Sequence, residues 1–304
     1  MKTPPSKIVE GIIKSEVTNY SKVYFLCNYR DSNIGDSAIA YATFCLLKKI
    51  GIQFDLLFPN SNNIPYGKKL VSMINNDNTL VLLPGGGNFG GLYPWNDDLR
   101  IWCLNNFPKA RIVQLPQSIF FVSSEDENRL RSAFETHQNC RILIRDSLSW
   151  SKIADWTVQK DMCPDIVEIL PVVENNAETR EGFLIRQDSE SAFSLNKPTS
   201  DASFDWPVIA LFQRSKYWIF RRIIDIIPAK SLMIYPWNSR AFKGIEDFHK
   251  LRCNLGLNSL RRFQILHTDR LHGLILGRKS SCDVRVYDNK NGKVMSYFTT
   301  WYGQ

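Results

Sequence analysis

The chain has 304 residues, 44% of them hydrophobic and 12% aromatic, and a formal net charge of +8. That apolar content fills two cores of about 150 residues each and excludes a disordered chain. No apolar run reaches the roughly 20 residues that span a bilayer. The polar N-terminal stretch lacks the apolar core of a signal peptide, so a cytoplasmic location is expected.

Seven Cys are scattered without metal-ligand spacing, and only four His are present. Reduced, mostly buried thiols and no metal are expected. The positive charge favours anionic substrates or lipid headgroups. No helix-turn-helix, zinc-finger or RNA-recognition pattern is visible, so nucleic acid is not an expected partner.

In chain order, Lys22–Cys27 reads as a strand, followed by a polar loop over 28–36 and a helix from Ser37 to Ile50. Asp36 is its simplest N-cap, and Gly51 ends it. Residues 52–58 and 79–83 read as further strands. Gly85, Gly87 and Gly90 match a dinucleotide fingerprint in letters. The context is wrong for one, because the next helix begins only near Asn96 or Asp97 and no carboxylate lies between 108 and 120. A bare loop that lets backbone approach a ligand fits better, and a tight turn without a ligand remains the alternative.

Strands follow at 110–115, ending in Pro116-Gln117-Ser118, and at 141–144, ending in Arg145-Asp146. Asp146 reads as a helix cap, and Arg145 could reach an anion or pair with Asp146. Residues 171–181 are polar and unpatterned and read as a linker. Beyond it come a strand at 182–185 ending at Arg186, a long loop over 187–204, and a basic, aromatic stretch, Arg214–Arg222. That stretch reads as an ordinary helix or as a membrane-surface segment. A helix over 241–251, a strand over 262–267 and a last strand over 284–287 complete the pattern. Alternating short strands and amphipathic helices predict an α/β fold with parallel sheets. The expected arrangement is two Rossmann-like domains around a central cleft, over residues 1–175 and 181–288, with 289–304 packing back on the first.

The strand at 262–267 leads into Thr268-Asp269-Arg270-Leu271-His272-Gly273. Charged side chains delivered at a strand–helix junction are how open α/β sheets build sites. Unpaired N–H groups there favour an anion, Arg offers a fixed cationic fork, and His exchanges protons near neutral pH. The alternative is a capped helix start with Asp269 paired to Arg270.

Taken together, Asn33-x-Gly35-Asp36, Gly85–Gly90, Leu115-Pro116-Gln117-Ser118, Arg145-Asp146, Pro164-Asp165, Arg186-x-Asp188, Thr268–Gly273 and Asp288-Asn289 resemble the polysaccharide pyruvyl transferase family over residues 20 to 295. The resemblance implies a GT-B-like fold and transfer of pyruvate from phosphoenolpyruvate, as co-substrate, to two hydroxyls of a sugar, giving a cyclic ketal. It implies donor contacts from Arg186, Arg270, Leu271, His272 and Gly273 on the second domain, with His272 and Arg270 catalytic. On the first domain it leaves Asn33, Asp36, Gly86, Gly87, Asn88, Gln117 and Arg145 for the acceptor. No cofactor and no metal are needed, because arginines supply the positive charge. A lipid-linked oligosaccharide acceptor at the inner face of the membrane is compatible with the segment around Tyr217 and Trp218. The rival readings are a GT-B glycosyltransferase using a nucleotide-sugar and a non-catalytic sugar-binding relative. Gly91 stands where the family often has an acidic residue, which leaves the acceptor sugar unnamed.

Overall fold

The computed structural model describes residues 3–27, 33–59, 68–175, 177, 179–186, 203–206 and 232–303. Asp188, most of the 187–204 loop and the Arg214–Arg222 segment lie outside these residues.

The larger sheet contains β1 (Lys22–Leu26), β2 (Asp55–Pro59), β3 (Thr79–Leu83), β4 (Gly86–Phe89), β5 (Arg111–Ile119), β6 (Cys140–Ile144), β7 (Gln159–Met162) and β10 (Leu232–Tyr235). Their order is β10-β2-β1-β3-β5-β6-β7, with β4 beside β5. All neighbours are parallel except β10, which runs antiparallel along β2. The smaller sheet is wholly parallel, in the order β12-β11-β8-β9. It comprises β8 (Thr179–Leu184), β9 (Ser203–Phe204), β11 (Phe263–Thr268) and β12 (Asp283–Val286). β1 and β3 are apolar and buried almost throughout, as strands covered on both faces must be.

The helices are α1 (Pro5–Val17), α2 (Ile34–Lys49), α3 (Lys68–Ile74), α4 (Pro94–Asn106), α5 (Ser124–Thr136), α6 (Ser147–Lys152), α7 (Arg240–Leu260), α8 (Leu271–Lys279) and α9 (Lys293–Trp301), with a 3₁₀ turn at Ile166–Ile169. Among the described residues none is long and apolar enough to cross a membrane. Six of the seven Cys are buried and all are free, as expected of structural thiols.

Several boundaries depart from expectation. α2 starts three residues earlier than the sequence suggests, and its N-cap is Asn33, whose Oδ1 accepts the Gly35 N–H at 2.9 Å. Asp36 is therefore a first-turn residue and not the cap. The glycine stretch is not all loop: residues 86–89 pair with β5. α4 starts at Pro94, a position where a missing N–H costs nothing. α7 runs on to Leu260, and α9 forms within the 289–304 segment.

α2 and α7 carry the packing between the two sheets. Phe44 on α2 meets Phe25, Phe54 and Phe242 with ring centroids 5.9, 5.7 and 5.5 Å away. A Cβ on Gly256 of α7 would lie 2.5 Å from Ile34, so the absent side chain sets how closely the helices approach. One apolar cluster runs from Val23 and Phe25 through α2 to Leu266 and Leu274, tying both sheets into one core.

Candidate active site

The strand ends of both sheets meet where the start of α2 faces the start of α8. β11 ends at Thr268, whose Oγ1 donates to the Leu184 carbonyl at 2.8 Å and accepts the Arg270 N–H at 3.1 Å. Gly273 makes this turn possible, since a Cβ there would lie 2.3 Å from Thr268 Oγ1. Arg270 is the N-cap of α8 without a capping side-chain bond, and its Nη2 lies 2.7 Å from Asp205 Oδ1. Asp269 is fully buried and accepts the Arg186 N–H at 2.8 Å. Burial pushes its carboxyl up, against the pull of that N–H and of the Arg270 and Arg186 cations. Arg270 thus pairs with Asp205, while Asp269 braces the end of β8. Leu271 is buried in the core.

His272, the second residue of α8, points across to the larger sheet. Its Nε2 lies 3.5 Å from Asp165 Oδ2. On its other side, a Cβ on Gly35 would be 2.2 Å from Nδ1, so the ring rests on bare backbone. Asp165 is 1% exposed. The same Oδ2 accepts from Arg145 Nη1 at 2.6 Å, while Oδ1 accepts the Val167 N–H at 2.9 Å. Burial works to raise the Asp165 carboxyl, but His272 and Arg145 together hold it well below the usual carboxylate range.

Arg145, at the exit of β6, is fully buried. Its Nε donates to Ser118 Oγ at 2.8 Å, and its Nη2 comes within 3.2 Å of the point where a Gly87 side chain would begin. It does not pair with Asp146, which caps α6 through a 2.8 Å bond from the Ser149 N–H. Lys293 Nζ approaches the same point over Gly87, at 3.5 Å. Asp36 Oδ1 lies 4.0 Å from the corresponding point on Gly86.

The glycine stretch is held from behind. Gly90 and Gly91 have positive φ, and both N–H groups donate to the buried Asp97, at 3.2 and 2.7 Å. Burial raises the Asp97 carboxyl, opposed by its partner Arg100. Arg100 Nη2 in turn donates to Asn88 Oδ1 at 2.9 Å. Gln117 Nε2 donates to the same oxygen at 3.0 Å and to the Pro84 carbonyl at 2.8 Å. Asn88 and Gln117 are thereby engaged with the loop's own support. Arg145 lies beside Gly87 and Asp36 beside Gly86, while Asn33 is exposed at the start of α2.

Three neighbours escaped assignment from sequence: Gly35, Asp165 and Lys293. The first two lie inside quoted motifs, Asn33-x-Gly35-Asp36 and Pro164-Asp165, so a signal existed. Lys293 lies in the 289–304 segment, and folding of α9 against α6 brings it to Gly87. α9 also anchors the site. Tyr297 OH accepts the Asp165 N–H at 3.1 Å and donates to Glu168 Oε1 at 3.1 Å, while Trp301 Nε1 donates to the Arg145 carbonyl at 2.7 Å. Among the described residues no His, Cys, Asp or Glu group could hold a metal ion.

Residues 33–291 match the family described as polysaccharide pyruvyl transferase. EpsO of Bacillus subtilis, named for pyruvyl transfer, is 27% identical over 277 residues, covering 88% of this chain and 82% of its own. Pyruvyl transferase 1 of Schizosaccharomyces pombe is 24% identical over 286 residues, covering 88% and 67%. General stress protein 30 of Bacillus subtilis, whose name carries no activity, is 24% identical over 307 residues, covering 97% and 83%. An uncharacterised Klebsiella pneumoniae protein shares the fold, with a TM-score of 0.60 at 17% identity over 99% of this chain and 95% of that one.

Proposed function

Because the chain belongs to the polysaccharide pyruvyl transferase family, we propose that it moves pyruvate from phosphoenolpyruvate onto two hydroxyls of a sugar, closing a cyclic ketal during cell-surface polysaccharide synthesis. The observation that carries this reading is the meeting of His272 and Arg145 on one buried carboxylate oxygen, Asp165 Oδ2. A proton-transfer group of the smaller sheet is thereby held beside a cation of the larger one.

In this reading the donor lies near Arg270 and Arg186, whose guanidinium groups suit its phosphate and carboxylate through charge-assisted bonds. His272 gives a proton to the methylene carbon, which becomes a methyl group. The neighbouring carbon, now electron-poor, accepts the first sugar hydroxyl, whose proton is lost. Phosphate leaves, the second hydroxyl attacks the same carbon and gives its proton to the departed phosphate, and the ring closes. Arg270 and Arg186 oppose the charge on the departing phosphate. The acceptor sugar occupies the side bordered by Asp36, Gly86, Gly87 and Arg145, with Lys293 beside it. Bare glycine backbone admits a sugar ring closely. These cations meet the need for positive charge, so the reading invokes no cofactor. A lipid-linked oligosaccharide at the inner membrane face is the proposed acceptor, on the strength of the basic, aromatic sequence over 214–222.

The test is incubation with phosphoenolpyruvate and a panel of lipid-linked and free oligosaccharides. Mass spectrometry should find one added pyruvyl mass, with stoichiometric phosphate release. Turnover of nucleotide-sugars with phosphoenolpyruvate inert would overturn the reading.

A further inference from the structure

His272 has two ring nitrogens, and the fold treats them differently. Nε2 is buried, makes no hydrogen bond of good geometry, and faces Asp165 Oδ2 at 3.5 Å. Nδ1 lies against Gly35, in the space a side chain there would fill. Asp165 cannot turn away to serve another group. Oδ1 is held by the Val167 N–H, Oδ2 by Arg145, and the Asp165 backbone N–H by Tyr297.

We infer that Asp165 is a positioning residue, keeping a proton on His272 Nε2 so that Nδ1 is the nitrogen that exchanges protons with the substrates. A carboxylate facing one ring nitrogen fixes both the tautomer and the plane of the imidazole. The ring then works as follows. In the doubly protonated form, the Nδ1–H bond breaks and its proton goes to the donor's methylene carbon, whose π pair forms the new C–H bond. The N–H pair returns to Nδ1, leaving the neutral ring with its proton on Nε2. Nδ1 is restored by the proton of the attacking sugar hydroxyl. The one nitrogen facing the start of α2 thus serves donor and acceptor in turn, while Nε2 never exchanges. Arg145, on the same carboxylate oxygen, ties the acceptor side to this orientation. The inference rests on the reading that His272 moves the proton, and the experiment separates the two.

The experiment is long-range ¹H–¹⁵N correlation on ¹⁵N-histidine-labelled full-length protein, at a pH where His272 is neutral. The chain has four His, and the His272 signals are those absent from His272→Gln. The expected spectrum has the proton on Nε2 and a bare, pyridine-type Nδ1. A proton on Nδ1 in the neutral ring overturns the inference without touching the proposed reaction. In Asp165→Asn the tautomer preference should weaken and kcat fall by about 10²-fold or more, within the span of proton-transfer catalysis, with KM for phosphoenolpyruvate changed far less. Wild-type kcat in that variant also overturns it. If Asp165→Asn fails to fold, the wild-type tautomer still decides. Full activity of His272→Gln would instead remove the proton-transfer reading itself.

Discussion

The bare Cα of Gly35 and the Nδ1 of His272 occupy each other's space: a methyl group on the first would stand 2.2 Å from the second. The two residues lie in different halves of the sequence and belong to helices that start from opposite sheets. Gly35 has no positive φ, so its backbone would tolerate alanine. The clash falls on a side chain and not on backbone.

Gly35→Ala should therefore separate activity from stability. Its thermal midpoint should shift by a few degrees at most, as expected for roughly 1 kcal/mol or less, while kcat drops at least tenfold because His272 is displaced. Steady-state phosphate release beside a thermal melt reads both. A kcat unchanged from wild type would mean that the position of His272 does not matter.

His272→Gln and Arg270→Lys test the chemistry from two directions. His272→Gln should cost about 10²–10⁴-fold in phosphate release, the usual worth of a positioned acid–base group, with an intact fold. Arg270→Lys keeps the charge but loses the planar fork. It should raise KM for phosphoenolpyruvate, with circular dichroism unchanged. Wild-type KM in Arg270→Lys would rule out bidentate donor binding.

What the sequence disclosed was local. The Thr268–Gly273 junction, the cap at Asp146 and the buried strands β1 and β3 are written in consecutive residues, and the structure has them where expected. Non-local pairings were not legible. Sequence leaves Arg145 either an anion or its neighbour Asp146 as partner, and neither names Asp165, twenty residues on. Successive side chains leaving a strand point to opposite faces, so Arg145 and Asp146 diverge. The sequence reading makes Asp36 the cap of α2 and the structure uses Asn33, since either side chain can serve. β10 joins the larger sheet by pairing Leu232 with Pro59. An antiparallel edge between segments so distant in sequence leaves no periodic trace in either.

The Asp165–Arg145 pair carries a pH signature of its own. Because the folded carboxyl is held low, its contribution to stability is complete above the unfolded value of about 3.9. It is lost as pH falls through the folded one. Removing it leaves a buried Arg145 without its counterion, at a cost of about 3–5 kcal/mol. Urea titrations of wild type and Asp165→Asn should show that gap shrinking below about pH 4 as the carboxylate takes up its proton. A gap that grows in acid would contradict the assignment.

His249 should also cost stability as pH falls, but nearer neutrality. It lies on α7, buried between Ser37 Oγ at 3.3 Å from Nδ1 and Cys27 Sγ at 3.6 Å from Nε2. Burial first, and the nearby Arg252 second, bring its pKa down to about 3. The folded protein therefore keeps this imidazole neutral, while the unfolded chain takes up a proton below about 6.5. The unfolded state then binds more protons, so stability falls as pH drops from there toward 3. The slope attributable to His249 is at most about 1.4 kcal/mol per pH unit. His249→Gln cannot titrate. Apart from a constant offset, its stability between pH 6 and pH 4 should be flatter than wild type by up to that amount. Parallel stability curves for the two proteins would show that the ring is already charged in the fold, and the neutral assignment would fall.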